Sequence, residues 1–305
     1  MEKIIRKRPF RLHWTKNNQR KILGYLYMLP AFLIAAGMIL YPLLYGIYTS
    51  LFQWNWMTGS DKIVFIGLGN YIRLLGDEYF WNSLKNTLEF TAISLFFEFI
   101  IGLGCALLLN GLIRGSLVYR TIMMFPLMVS DIVAALMWKM MLEPSTGMIN
   151  QLLSSVHLGT PNWLGNPLLV VPTLAWVDVW WQTGNIIIIL LAGLQSLSKE
   201  PLEMAMVDGA NQLHLFRYLI WPQLIPYVKT AITFRVIDLL RVFALSWAIT
   251  GGGPVRASEV TQVYIYTQGM GKYLDIGYSI SLALTFAVIV SFFVALINRS
   301  FKEKV

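Results

Sequence analysis

Two apolar stretches of the sequence carry polar side chains at a helical spacing. In each stretch, four residues stand at offsets of 0, 3, 4 and 7 from the first of them. This spacing places them on one face of an α-helix. The first set is Asp178, Trp181, Gln182 and Asn185; the second is Arg235, Asp238, Leu239 and Val242, with Arg241 at its edge. Ionisable side chains in a membrane-embedded segment are costly, so each is a functional-site hypothesis. Such groups can bind a polar ligand.

The sequence lacks the motifs of a catalytic or nucleotide-binding chain. There is no G-x-x-x-x-G-K-[S/T] phosphate loop, and the run Gly269–Lys272 lacks its spacing, so we expect no ATP binding. There is no H-E-x-x-H motif, and His13, His157 and His214 lie on scattered segments, so we expect no metal site. No Ser, His and Asp set shares one membrane depth. We therefore predict no catalytic residues, with a membrane-embedded hydrolase left as an alternative.

The composition identifies the class of protein. Of the 305 residues, 56% are hydrophobic and only 13% are charged. A typical globular domain is about 25% charged, so this chain has too few charges to cover a soluble surface. The prediction is an all-α polytopic membrane protein, in which each span needs about 20 mainly apolar residues. Six stretches meet this requirement: Ile22–Leu51, Leu84–Leu109, Thr121–Leu142, Leu168–Leu194, Tyr218–Ile249 and Ile276–Ile297.

The distribution of Lys and Arg predicts the orientation. Eight lie in the tail before the first span, two in the second loop, two in the fourth loop and three in the C-terminal tail, against four on the other side. By the positive-inside rule, both termini are predicted to be cytoplasmic. The chain then divides into a basic tail (1–21), a domain of six transmembrane helices (22–298) and a C-terminal tail (299–305). The domain includes a cytoplasmic loop (198–217) between helices 4 and 5.

This cytoplasmic loop is predicted to contain a short helix. Ser198 is a plausible N-cap, Pro201 is tolerated in the first turn and Gly209 is a natural stop. The residues Leu202, Ala205 and Met206 lie at i, i+3 and i+4 and form an apolar face. Two interpretations fit this pattern. The helix either lies at the membrane surface without a partner or docks into a groove on another protein.

The loop resembles the EAA loop of binding-protein-dependent ABC importer permeases. The matching residues are Glu203, Ala205, Asp208 and Gly209, followed by Leu219, Trp221 and Pro222 in the position of the motif's tail. Met204 and Trp221 depart from the usual residues without changing the spacing. Two further stretches resemble the carbohydrate, maltose-permease-like branch: Phe125-Pro126 followed by Trp138, Gly147 and Asn150, and the turn Thr250–Pro254.

The resemblance implies a type I ABC importer transmembrane fold and a set of partners. These are a second permease, which is usually a different but related chain, two ATPase subunits that bind ATP and Mg²⁺, and an extracytoplasmic solute-binding protein. The chain itself is implied to be a non-catalytic, multi-pass subunit of the bacterial cytoplasmic (inner) membrane without a cofactor. The residues implied to couple it to the ATPase are Glu203, Ala205, Asp208, Gly209 and Ala210.

The resemblance also assigns positions in the membrane. Positions that line the sugar site in maltose-type permeases fall on Trp181, Gln182, Asn185, Arg235, Leu239 and Val242. Trp181 is then expected to stack on a pyranose ring, and Gln182 and Asn185 are expected to hydrogen-bond hydroxyls. Asp178, Asp238 and Arg241 belong to the same two polar faces and complete the predicted substrate site.

Arg235 departs from what a neutral sugar needs, because an unpaired charge in a dry cavity is expensive. Two hypotheses compete. Asp238, at i+3, neutralises Arg235 as a structural ion pair. Alternatively Arg235, helped by Arg241, grips a carboxylate. The second hypothesis predicts an acidic, uronate-containing oligosaccharide or a phosphorylated polyol such as glycerol phosphate.

Further ionisable residues in the predicted spans include Glu89, Glu98, Asp131 and Lys139. We expect them to pair with the partner permease or to contact water at helix ends. The main rival function is an ion-coupled secondary transporter, but no pair of interrupted spans lies in matching halves of the sequence. A membrane scaffold without transport would not need two polar faces inside its spans.

Overall fold

A computed structural model describes residues 16–57, 63–111 and 116–300 of the chain. Most of the predicted basic tail, and residues 301–305 of the C-terminal tail, lie outside these ranges. Within them the protein is mainly helical. The helices are α1 (Lys16–Ser50), α2 (Gly69–Leu75), α3 (Glu78–Gly111), α4 (Ser116–Met124), α5 (Asp131–Met141), α6 (Met148–Ser155), α7 (Val170–Ser196), α8 (Lys199–Val207), α9 (Gln212–His214), α10 (Trp221–Leu240), α11 (Ala244–Thr250), α12 (Thr261–Tyr266) and α13 (Ile276–Ser300).

Shorter elements join these helices. A 3₁₀ turn, Phe125–Met128, separates α4 from α5, and π-helical turns occupy Leu215–Ile220 before α10 and Thr267–Gly271 after α12. Two short antiparallel strands, β1 (Phe52–Gln53) and β2 (Val64–Phe65), pair with Phe52 opposite Phe65. This hairpin is an addition to the all-α prediction.

Four described helices are long and apolar enough to cross a membrane: α1 from Leu23, α3, α7 and α13. The third predicted span is not straight, because its two halves, Leu117–Met128 and Asp131–Met141, meet at an angle of 92°. Counting this bent pair as one span gives five. Pro126 in the intervening turn explains the break, since proline cannot donate the backbone hydrogen bond that would continue the helix.

The fifth predicted span is shorter than expected. The prediction ran to Ile249, but α10 ends at Leu240 and α11 begins at Ala244. The segment α10 does not pass the same test of length and apolar character. Two prolines, Pro222 and Pro226, stand in its first two turns, and charged residues follow. The six-span topology and the cytoplasmic position of both termini stay predictions.

Of the long apolar helices, α7 is the most enclosed, and 61% of its most apolar 18-residue stretch is buried. It packs closely on α3, where an added Cβ at Gly102 would lie 2.7 Å from a side-chain carbon of Ile186. On α10 it meets Tyr227, whose ring occupies the space next to Gly193. Two apolar clusters hold α3, α7 and α10 together, and between them the two polar faces of the sequence are brought to one place.

Polar contacts fasten the end of the molecule that contains the hairpin. Arg73 on α2 forms an ion pair with Asp275 before α13, at 2.7 Å. Asp77 accepts hydrogen bonds from the hydroxyls of Tyr264 and Tyr278, two of the largest fully buried side chains. These contacts join α2, α12 and α13 near the start of α3.

Candidate functional site

The two predicted polar faces meet at one cavity of about 350 Å³ between α7 and α10. Every predicted substrate residue except Asn185 lines it. The lining comprises Asp131, Asp178, Trp181, Gln182, Arg235, Asp238, Leu239, Arg241, Val242, Phe243, Ala244 and Leu245. The two faces predicted from helical periodicity therefore line one cavity, because the packing of α7 against α10 makes them face each other.

Asn185 lies next to the cavity lining and contacts it through Gln182. Its Nδ2 donates a hydrogen bond to Oε1 of Gln182 at 2.5 Å. The two amides stand three residues apart on α7, a separation at which side chains on a helix are neighbours. Asn185 thus orients the amide of Gln182, whose NH₂ group makes no hydrogen bond among the residues that the structure describes.

Trp181 connects the cavity to the bend in the third predicted span. Its Nε1–H donates a hydrogen bond to the backbone oxygen of Val129, 3.0 Å away, at the end of the 3₁₀ turn. This oxygen lies at the break between α4 and α5, where the regular helical hydrogen bonds are interrupted. The indole therefore makes two kinds of contact. Its N–H donates to the backbone oxygen of Val129 at the bend, and its ring lines the cavity.

A buried charge cluster lies beside the cavity. Arg235 on α10 binds Glu98 on α3 with two hydrogen bonds, from Nε to Oε2 at 2.5 Å and from Nη2 to Oε1 at 2.6 Å. The same Nη2 donates to Oδ2 of Asp178 on α7. All three side chains are buried, and the exposed fraction of Glu98 is 0%. One guanidinium thus joins three helices through two carboxylates, the bidentate geometry for which arginine is suited.

Of the two hypotheses for Arg235, the structural ion pair with Asp238 is wrong. Asp238 is exposed and makes no ion pair with Arg235 in the described part of the chain. The expectation for Glu98, pairing with another subunit or with water, was also wrong because Glu98 is enclosed and pairs within this chain. Residues at i and i+3 share a helix side but need not point at each other, whereas α3 and α7 pack directly against α10. An ionisable residue in the middle of an apolar span was the sequence signal for Glu98.

Three other ionisable residues of the predicted spans have different positions. Asp131 begins α5, lines the cavity and accepts a hydrogen bond from the backbone N–H of Ile132 at 2.9 Å. Lys139 donates from Nζ to the backbone oxygen of Ala248 at 3.2 Å, which ties α5 to α11. Glu89 is exposed on α3. Only Asp131 of these three therefore belongs to the cavity.

The predicted loop helix is present as α8, and its ends match the prediction. Ser198 occupies the N-cap position, although its side chain makes no capping hydrogen bond. At the other end Gly209 has a φ of +87°, its N–H donates to Met206, and the N–H of Ala210 donates to Ala205. These two hydrogen bonds are the Schellman motif, which favours glycine because L-residues avoid this region of φ.

The surface of α8 is largely exposed. Glu203 and Asp208 both point to solvent, and Val207 is 88% exposed. On the predicted apolar face, Leu202 and Ala205 are half-buried, whereas Met206 is exposed. The helix therefore combines exposed carboxylates with exposed apolar side chains in this chain, as a docking surface does.

The turn Thr250–Pro254 follows α11 and has the conformation that its glycines allow. Gly251 and Gly252 have φ values of +60° and +91°. A Cβ at Gly252 would lie 3.2 Å from Cβ of Glu259, so the close approach of this buried glutamate also favours glycine. The pKa of Glu259 is raised because burial disfavours its charged form, an effect that nearby Arg256 partly offsets.

Known proteins resemble this chain over most of its length. Residues 98–302 match the family "Binding-protein-dependent transport system inner membrane component". The trehalose/maltose transport system permease protein MalF of Thermococcus litoralis is 35% identical over 271 residues, covering 88% of this chain and 90% of the relative. The sn-glycerol-3-phosphate transport system permease protein UgpA of Agrobacterium fabrum is 30% identical over 278 residues, covering 88% and 91%.

A solved structure shares the fold. It is the crystal structure of a bacterial ABC transporter involved in the import of the acidic polysaccharide alginate, with a TM-score of 0.81 at 24% identity, covering 94% of this chain and 97% of that chain. The likeness supports the expected type I ABC importer fold and concerns the fold alone. The resemblance to ABC importer permeases of the carbohydrate branch, inferred from the loop 198–217 and from two further stretches of the sequence, is confirmed. The chain is a multi-pass membrane protein that belongs to the family of binding-protein-dependent transport system inner membrane components.

Proposed function

We propose that this chain is a transmembrane permease subunit of an ATP-driven importer that translocates a sugar or oligosaccharide. One observation carries the proposal: α7 and α10, which flank the exposed helix α8 in the chain, are also the helices that form the polar cavity. A movement imposed on α8 would pass directly to the two walls of the cavity. The relative whose printed name includes trehalose and maltose supports a sugar as the cargo.

The proposed partners follow from the exposed surface of α8 and from the family to which the chain belongs. Two ATPase subunits bind ATP and Mg²⁺, and α8 docks on one of them through Glu203, Ala205, Asp208, Gly209 and Ala210. A second, related permease completes the membrane unit, and an extracytoplasmic binding protein delivers the sugar. The chain itself is non-catalytic, holds no cofactor and resides in the bacterial cytoplasmic membrane. ATP binding draws α8 and the corresponding helix of the second permease together, and the cavity then opens to the outer side of the membrane. ATP hydrolysis returns the cavity to its starting orientation.

The cavity can hold a sugar by the chemistry of its lining. The ring of Trp181 offers an apolar face for a pyranose, and the amide of Gln182 offers hydrogen bonds to hydroxyls. Leu239 and Val242 provide apolar wall. At about 350 Å³, this chain's cavity is near the lower end of small-molecule pockets, which suits one half of a site that a second permease completes.

An acidic cargo is the second candidate. Arg241 lines the cavity, is exposed and makes no ion pair in the described ranges of the chain, so it can bind a carboxylate or phosphate. The relative named for sn-glycerol-3-phosphate is compatible with a phosphorylated polyol as the acidic cargo. Arg235 does not add to this argument because Glu98 and Asp178 already bind it.

The test is an uptake assay on the intact complex. The tagged chain is purified with its associated subunits, reconstituted in proteoliposomes that enclose ATP, and supplied with the binding protein and labelled maltose, trehalose or glycerol 3-phosphate. We expect accumulation of a sugar that requires both ATP and the binding protein. Accumulation driven by an ion gradient without ATP would instead identify a secondary transporter.

A further inference from the structure

We propose that Glu98 determines the charge selectivity of the cavity. It neutralises Arg235 from outside the cavity lining, so that the site accepts neutral sugars and rejects acidic ones. This inference deepens the proposed function and rests on it. Glu98 acts through Arg235 and is therefore a positioning residue.

The hydrogen bonds of Arg235 carry the first step. A guanidinium has five N–H donors. Glu98 takes the Nε donor and one Nη2 donor, and Asp178 takes the other Nη2 donor. The two Nη1 donors make no hydrogen bond within the described residues, and Arg235 lines the cavity. Arg235 can thus donate hydrogen bonds to sugar hydroxyls while its charge is already compensated.

The charges around the cavity carry the second step. The titratable groups of its lining are the carboxylates of Asp131, Asp178 and Asp238 and the guanidinium groups of Arg235 and Arg241. With Glu98 added, carboxylates outnumber guanidinium groups. Like charges repel, so an anionic cargo is disfavoured. A neutral sugar meets donors and acceptors of both kinds.

The position of Glu98 separates it from the other carboxylates. It is fully buried, does not line the cavity, and directs both carboxylate oxygens to Arg235. A sugar therefore cannot use Glu98 as a hydrogen-bond acceptor, whereas Asp131, Asp178 and Asp238 are all within the lining. Its contribution to the cargo is the charge that it removes from Arg235.

The experiment measures selectivity on one preparation at a time. The complex that co-purifies with this chain is placed in nanodiscs without the binding protein, so that the binding protein's own specificity does not enter. Dissociation constants are measured by NMR titration for trehalose and maltose, and for the counterparts in which one primary alcohol of each is oxidised to a carboxylate. Because the readout is the ratio of acidic to neutral dissociation constants, an inactive fraction cancels.

The key variant is Glu98→Gln, which keeps the shape and removes the charge. We expect the wild type to bind the neutral sugar at least about tenfold more tightly, and Glu98→Gln to lower that ratio by about tenfold, a change of about 1.4 kcal/mol. Asp178→Asn, which removes the other carboxylate from the same guanidinium, should lower the ratio too. Glu89→Gln, on the exposed surface of the same helix, should leave it unchanged.

The outcomes distinguish the inference from the proposed function. An unchanged ratio in Glu98→Gln, or a wild type that prefers the acidic sugars, would overturn the role of Glu98 while ATP-driven sugar uptake stands. If the wild type bound none of the four sugars and transported none, both proposals would fail. A role of Glu98 in stability alone would lower the bound fraction of all four sugars and leave the ratio in place.

Discussion

The two pairs of carboxylates at the interior cluster and on α8 stand in opposite environments. Glu98 and Asp178 are enclosed and share one guanidinium, whereas Glu203 and Asp208 are exposed and make no ion pair in the part of the chain that the structure describes. Buried charges must be paired where they stand, because their desolvation is costly. Exposed charges are solvated by water and therefore need no partner within the chain. The charges of the cluster are therefore paired within this chain, whereas the carboxylates of Glu203 and Asp208 are available to the partner proposed for α8.

The largest expected effect comes from breaking the interior cluster. Arg235→Met leaves Glu98 and Asp178 without their shared cation, and removal of one partner from a buried ion pair typically costs about 3–5 kcal/mol. We expect a strongly lowered melting temperature of the purified chain in differential scanning fluorimetry.

The control for this variant is Arg241→Gln, an exposed arginine that lines the same cavity and makes no ion pair among the described residues. It should melt close to the wild type. Replacing the whole cluster, with Arg235→Met, Glu98→Met and Asp178→Leu together, should recover much of the stability, because apolar groups of similar size need no counter-charge. Equal melting of Arg235→Met and the wild type would contradict the interior pairing.

A smaller effect on stability, but a large one on transport, is expected at α8. Gly209 has a φ of +87° with open space around the position of an added Cβ, so Gly209→Val is opposed by backbone conformation and not by a clash. A left-handed residue other than glycine costs roughly 1–2 kcal/mol. We expect the spans to melt normally while sugar uptake is lost and ATP hydrolysis persists.

Gly209→Asn is the matched control, because asparagine tolerates the left-handed conformation better than other residues. It should retain much of the uptake. Normal uptake by Gly209→Val would show that the Schellman turn of α8 does not aim the helix at its partner.

Variants of Trp181 test whether its side chain binds sugar or only stabilises the bend between α4 and α5. Trp181→Phe removes the N–H that binds Val129 and keeps an aromatic ring, so the expected cost is about 1 kcal/mol of stability with sugar affinity retained. Trp181→Leu removes both and should weaken sugar binding as well. The control is Trp180→Phe, whose ring packs on Trp138 instead. Equal sugar affinities for the Leu and Phe variants would assign Trp181 to the bend alone.

The comparison also explains what the sequence could predict. The polar faces of α7 and α10 and the ends of α8 are properties of single helices, so periodicity and capping residues such as Ser198 and Gly209 were sufficient. The pairing of Glu98 with Arg235 depends on the depth and rotation of two helices far apart in the chain, which no periodicity within one helix encodes. The 92° bend was missed for a different reason: Pro126 marks a break, but apolar composition continues through it.

Glu259 lies between the two cases, because it is buried but only loosely paired. Arg256 stands 3.6 Å away, and Oε2 accepts no hydrogen bond in the described chain. Burial raises its pKa above the ordinary value of 4.5, so the folded state holds this proton more tightly than the unfolded state. The stabilisation from that proton is fully present below about pH 4.5 and is lost as pH rises through the raised pKa.

The melting temperature of Glu259→Gln should therefore rise relative to that of the wild type between acidic and neutral pH, by the smallest margin of these variants. Glu78→Gln, at an exposed position, should track the wild type across the same range. If Glu259→Gln also tracked it, the ion pair with Arg256 would fully offset burial, and Glu259 would behave like the satisfied carboxylates of the interior cluster.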